Sequence, residues 1–208
     1  MDLKSAGSQI AEAAAGFYRR GWVLGTSGNF SALLGREPMR VCITSSGKHK
    51  GELSTDDFLF VDERGSVLEG NGSPSAETQI HLALYKELPD CGAVFHTHSV
   101  WGNLLSDRCD GAIVIEGQEM LKGLSGVKTH EHREEVPVIE NSQDYDELSD
   151  AVRKIAAERD DIHGIYLRRH GLYTWGETIA DAGRHIEIFE FLFEVTARAG
   201  GGAVSGEP

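Results

Sequence analysis

Cysteine is scarce in this chain: Cys42, Cys91 and Cys109 are the only three in 208 residues, an odd number without C-x-x-C spacing. That argues against a disulfide framework or a cysteine-rich zinc site and for reduced thiols. Positive charge is also short. Lys and Arg number 20 against 33 Asp and Glu, a net charge of −13, which disfavours nucleic acid or an anionic membrane as partner. No apolar run is long enough to span a membrane and the N-terminus lacks a signal-peptide core, so the chain reads as soluble and cytoplasmic. Neither G-x-G-x-x-G nor a P-loop pattern is present, so its glycine-rich loops do not speak for a nucleotide. There is no internal repeat and no interdomain linker. The length fits one domain, read as 1–199, followed by a flexible tail at 200–208.

What is present alternates short strand patterns with amphipathic helices. Leu3, Ala6, Ile10, Ala13, Ala14 and Phe17 form a helical stripe that stops near Gly21. Strand-like runs follow at 32–34 and 39–43, then at 58–61 and 66–69, each pair joined by a turn. Ser75 is the expected N-cap of a helix over 76–88, which places Glu77 in its first turn. A short helix at 100–105 and a strand at 112–115 come next. The run 136–139 reads as an edge or short strand, because Pro137 cannot donate to a ladder. Asp144 and Glu147 have capping-box spacing for a helix over 145–159. Two strand patterns, 164–168 and 171–175, precede a last helix over 178–198. Strands outnumber the helices that could cross between them, which predicts a largely antiparallel sheet with helices on its faces.

Candidate chemistry centres on His96-Thr97-His98. It follows the apolar run Ala93-Val94-Phe95, and in a strand side chains at i and i+2 share a face, so two imidazoles stand side by side. A catalytic zinc site usually takes three protein ligands, which raises the question of the third. His130-x-His132 sits among charged residues and looks solvated, and His185 lies on the terminal helix as a packing or surface histidine. His170 is better placed, between two strands and directly before Gly171. Three polar loops, around Ser27-Gly28-Asn29, Ser45-Ser46-Gly47 and Ser73-Pro74-Ser75, can present hydroxyls and backbone N–H groups, and Lys48 adds a point charge.

The ordered set Gly25-Thr26-Ser27-Gly28-Asn29-Phe30-Ser31, Thr44-Ser45-Ser46-Gly47, Ser73-Pro74-Ser75-Ala76-Glu77, His96-Thr97-His98 and Arg169-His170-Gly171 resembles the class II aldolase/adducin family, over about residues 3–199. The resemblance implies a three-layer α/β/α fold around a mostly antiparallel sheet. It also implies one zinc per subunit on His96, His98 and His170, and a homotetramer with sites near subunit boundaries. Residues 117–123, 136–141 and 168–176 resemble members that dehydrate a small phosphorylated ketose, so such a molecule is the expected substrate. Glu119 matches their acid–base residue, and a zinc-polarised ketone makes the neighbouring C–H abstractable. In this frame Ser27, Gly28, Asn29, Ser45, Ser46, Gly47, Lys48 and Ser75 are the expected phosphate cradle. Glu77 is an expected substrate or metal contact, although a Glu in a first helical turn also complements the macrodipole. Two rivals belong to the same fold, a sugar-phosphate aldolase or epimerase and a non-catalytic adducin-like module without metal.

Overall fold

A computed structural model describes residues 2–200. The helix α1 (Leu3–Arg19) buries Ala6, Ile10, Ala14 and Phe17 on one stripe, and the Asp2 side chain caps its start by accepting from Ser5 N–H at 2.8 Å. Then come β1 (Asn29–Arg36), β2 (Met39–Thr44), β3 (Phe58–Val61), β4 (Val67–Glu69), α2 (Thr78–Glu87), β5 (Ala93–Thr97), α3 (Val100–Arg108) and β6 (Ala112–Ile115). The chain continues through β7 (Glu134–Ile139), α4 (Tyr145–Glu158), β8 (Gly164–Leu167), β9 (Gly171–Gly176) and α5 (Ile179–Gly200). The strands form one sheet in the order β4-β3-β2-β1-β5-β9-β8-β7-β6. Every neighbouring pair is antiparallel except β7 with β8.

The two faces are separated by the period of two along each strand. Ala93 and Phe95 of β5 join Phe30, Tyr166 and Leu172 in a core under α1 and α5. Val94 joins Val41, Ile43, Ile165 and Tyr173 in a second core under α2 and α4. The result is the expected three-layer α/β/α sandwich. No helix among the described residues is long and apolar enough to cross a membrane.

Strand direction decides which loops meet. Antiparallel neighbours of β5 bring the starts of β1 and β9 to the end where β5 finishes, and the same reasoning brings the ends of β2, β4, β7 and β8 there. Asn29, Ser45, residues 70–77, His96, His98, Asn141 and His170 therefore gather at one end of the sheet. β6 runs the other way from β7, so the segment that leaves its last residue lies at the opposite end.

Four local expectations are corrected. β7 is an interior strand, between β8 and β6. Val138 N–H donates to the Gly111 carbonyl on the β6 side, so alternation turns the Pro137 nitrogen toward β8, where pairing begins only at Val138. The helix α2 starts at Thr78 with Glu77 as its N-cap, because the Ser75 hydroxyl is taken by the Glu77 backbone N–H two residues on. The Asp144 side chain accepts from Asp146 and Glu147 N–H, but its own N–H goes to the Ser142 hydroxyl rather than to Glu147, so the box is half formed. Finally, α5 extends through Gly200, and the remainder of the expected tail, 201–208, lies outside the described residues.

Candidate active site

His96, His98, His170 and Glu77 offer ligand atoms that all lie within 4.8 Å of one another. His96 and His98 reach this point from the end of β5, their Nε2 atoms 2.8 Å apart. His170 arrives from the β8–β9 turn, in which Arg169 has φ 55° and is held by the Ser106 hydroxyl and the Asp107 carboxylate. Gly171 is required there, since a Cβ would collide with the Thr97 carbonyl and the His96 ring. The His96 Nδ1–H donates to the Leu172 carbonyl at 2.9 Å, and His170 Nδ1–H donates to Asn141 Oδ1 at 3.2 Å. Each Nε2 is thereby aimed inward, the outer contact that metal-binding imidazoles usually carry. Burial, then the neighbouring imidazoles, pushes His96 well below its ordinary pKa and His98 down to about 4. Both are neutral, the form that ligates a metal.

Glu77 Oε1 stands 3.0 Å from His170 Nε2 and 3.8 Å from His96 Nε2. Burial alone would raise its carboxyl, but the hydrogen bond from His170, with the electrostatic pull of the surrounding ring N–H groups, outweighs it and holds the group well below the usual carboxylate range. Its other oxygen accepts from the Asn29 side-chain amide. Asn29 Oδ1 in turn accepts from His81 Nε2–H, His81 Nδ1 accepts from the Ser31 hydroxyl at 2.7 Å, and Ser31 Oγ accepts from Tyr85 O–H at 2.7 Å. Burial pushes His81 down to about 3, so it stays neutral and the chain of donors keeps one direction. In the sequence His81 reads as a lone histidine. The signal is its spacing, since Glu77, His81 and Tyr85 fall at i, i+4 and i+8 on one helical face.

Beside Glu77 and His98 lies a cavity of about 110 Å³ lined by Thr26, Ser27, Gly28, Asn29, Thr44, Ser45, Ser46, Gly47, Lys50 and Ser75. Gly28, at φ 74°, lets the first loop turn against the His96 carbonyl, where a Cβ would clash. The cation expected here is corrected. Lys48 pairs with Asp57 at 2.8 Å and does not line the cavity, whereas Lys50 is buried, with Nζ donating to the Thr26 and Lys48 carbonyls. Burial lowers Lys50 to about 8, against the opposing pull of Glu77. Three of the expected backbone donors are already used: the N–H groups of Ser27, Ser45 and Ser46 go to the Leu24, Asp57 and Ser73 carbonyls, while the hydroxyls of these loops and Gly28 and Gly47 line the cavity.

Glu119 is not brought to this cluster. It follows β6 at the opposite end of the sheet, is exposed, and pairs with Lys122 and, at 3.8 Å, His130. In the sheet, β6 stands three strand spacings from β9, roughly 14 Å. His185 donates from Nδ1 to the Trp175 carbonyl and accepts from Ser125 N–H, a packing role at that same far end.

The fold and the histidine cluster define a class, and the chain belongs to the Class II Aldolase and Adducin N-terminal domain family, whose model matches residues 8–197. It is 42% identical over 200 residues, 96% of this chain and 97% of the relative, to the methylthioribulose-1-phosphate dehydratase of Methylococcus capsulatus. It is 46% identical over 187 residues, 89% of each, to the protein of that name from Pseudomonas fluorescens. Among solved structures, YgbL from Escherichia coli superposes with a TM-score of 0.79 at 26% identity, covering 93% of this chain and 88% of that one. An L-fuculose 1-phosphate aldolase superposes at 0.80 with 22% identity over 100% of this chain and 91% of that one, a likeness of fold.

Proposed function

We propose that this protein dehydrates 5-methylthioribulose 1-phosphate to 2,3-diketo-5-methylthiopentyl 1-phosphate, a step of methionine salvage. The observation that carries the reading is the junction of three imidazoles, from His96, His98 and His170, with an ionised Glu77 and a hydroxyl- and lysine-lined cavity. The 42–46% identical dehydratases support it at the level of substrate. The donor set suits one zinc per subunit, held by His96, His98 and His170 with Glu77 at its rim. Zinc held there supplies a Lewis acid for a ketone oxygen.

The chain's own residues do the rest. Lys50 and the hydroxyls of Ser27, Ser46 and Ser75 receive the phosphate next to the cluster. With the phosphate in that cavity, the ketone carbon adjoining its ester carbon falls toward the histidines. The reaction then removes the C3 proton, releases the C4 hydroxyl as water and tautomerises the enol to the second ketone. Glu119 keeps the acid–base role that the family pattern gives it, and acts on the site of a neighbouring copy in a homotetramer, because its own histidines are at the other end of the sheet. Glu77 is the carboxylate of the chain's own cluster, fixed by the Asn29–His81–Ser31–Tyr85 relay. Three free thiols agree with a cytoplasmic setting.

Turnover of methylthioribulose 1-phosphate against fuculose-, rhamnulose- and ribulose-phosphates, with products identified by mass spectrometry, tests the assignment. Loss of one water from the first and inertness toward the others is the expected result. Carbon–carbon cleavage of any of them would make the protein an aldolase instead.

A further inference from the structure

At the far end of the sheet stands a second set of donors that the proposed reaction leaves unused. Glu134 opens β7, His132 precedes it by two residues on the same side, and His163 lies just before β8. Glu134 is fully buried. Its Oε2 is 2.8 Å from His132 Nε2 and 2.9 Å from His163 Nδ1, and its Oε1 accepts from the His163 backbone N–H at 3.1 Å. The three donor atoms lie within 4.8 Å of one another.

We infer that His132, Glu134 and His163 form a second divalent-metal site, of the zinc class and structural in role. The donor set is two imidazole nitrogens and one carboxylate oxygen, which suits zinc. The His163 ring is held as a ligand ring is held. Its Nε2–H donates to the Ser125 carbonyl at 2.8 Å, so Nδ1 is the ring atom turned to the carboxylate, and a metal would take the place of the proton it shares there. A fully buried carboxyl such as Glu134 also needs strong polar partners. The nearby guanidinium groups of Arg133 and Arg159 go to Glu135, Glu116 and Asp161, so among the described residues the side-chain partners of Glu134 are the two imidazoles. Binding asks for little movement, since donors around a tetrahedral zinc stand roughly 3.3–3.5 Å apart. His132, a quarter exposed, leaves a face for entry and for a water ligand.

The position gives the metal its task. β7 and β8 are the sheet's one parallel pair, and their ladder covers only Val138–Tyr166 and Ile139–Leu167. Below those pairs the two strands have no ladder between them, and the His132–Glu134–His163 cluster is what joins them. A metal there pins the joint where backbone hydrogen bonds are missing.

Zinc per chain, measured by mass spectrometry after loading and desalting of the full-length protein, tests the inference. Wild type should hold two ions, H98A/H170A one, H132A one, and the triple variant none. H132A removes a partly exposed side chain, and a wild-type circular dichroism spectrum confirms its fold. Cobalt loading of H98A/H170A should give tetrahedral d–d absorption that H132A abolishes, and zinc should raise the Tm of H98A/H170A but not of the triple variant. One ion in wild type and none in H98A/H170A would overturn the second site while the first stands. One ion in wild type that survives in H98A/H170A would keep the second site and remove the first. Zinc content unchanged by H132A would reduce the cluster to a proton-sharing network and overturn the inference.

Discussion

Lys48 and Lys50 stand two residues apart and meet different surroundings. The turn after Gly47 sends one ammonium out to Asp57 and folds the other into the cavity, where two carbonyls hold it. Lys50→Ala should raise KM for the phosphorylated substrate roughly 10- to 100-fold, the worth of a buried charge-assisted contact, with a smaller fall in kcat. Lys48→Ala should leave both nearly unchanged. Steady-state kinetics on the two variants decide, and equal effects would return Lys48 to the cradle. Nothing local in Ser46-Gly47-Lys48-His49-Lys50 separates the two lysines, because the choice depends on Asp57 from the next turn of chain and on Thr26 from the first loop. His96 and His98 are legible for the opposite reason: strand alternation is a local rule, and it alone puts them side by side.

On β5, the element that carries them, alternation does two things at once. His96 and His98 face the site while Thr97, between them, faces α5 and donates its hydroxyl to Glu190 at 3.1 Å. Glu190 Oε2 has no partner among the described residues, and burial raises the carboxyl from its ordinary 4.5 to about 7, against the pull of the Ser99 and Thr97 hydroxyls. The folded chain thus keeps a proton that the unfolded chain releases. Stability from this group is complete below about pH 4.5 and lost as pH rises through about 7, a difference of roughly 3 kcal/mol. Glu190→Gln should remove that loss, so the stability gap between variant and wild type should widen in the variant's favour from pH 5 to 8 in urea titrations. A gap independent of pH would show that Glu190 is ionised in the fold throughout. Elements of strong period are legible from the sequence, α1 and β5 above all. β7 and the start of α2 are not, because an interior place for Pro137 and the diversion of the Ser75 hydroxyl are set by neighbours in space.

Across the whole molecule, strand direction sorts the chemistry to two ends, with the histidines and the cavity at one and Glu119 and the His132–Glu134–His163 cluster at the other. No stretch of sequence announces that β6 runs against β7, so in one dimension Glu119 reads as a neighbour of the histidines, and only the topology separates them. If Glu119 serves another copy, H98A and E119Q subunits, each inactive, should regain activity when unfolded together and refolded as mixed oligomers. Random pairing makes roughly a quarter of the boundaries complete, and activity near that share of wild type is expected. Mixtures as inactive as their parents would confine each site to one chain. The alternation of β5 carries a last consequence for the molecule as a whole. Val94 and Phe95 lock the strand between two cores, and the same count that seats them delivers the imidazoles two residues later. One residue inserted before Ala93 would drive a histidine under α5 and turn a phenylalanine toward the cavity. Hydrophobic packing thus acts as the reading frame of the ligands, and a frameshift within this one strand would abolish fold and chemistry together.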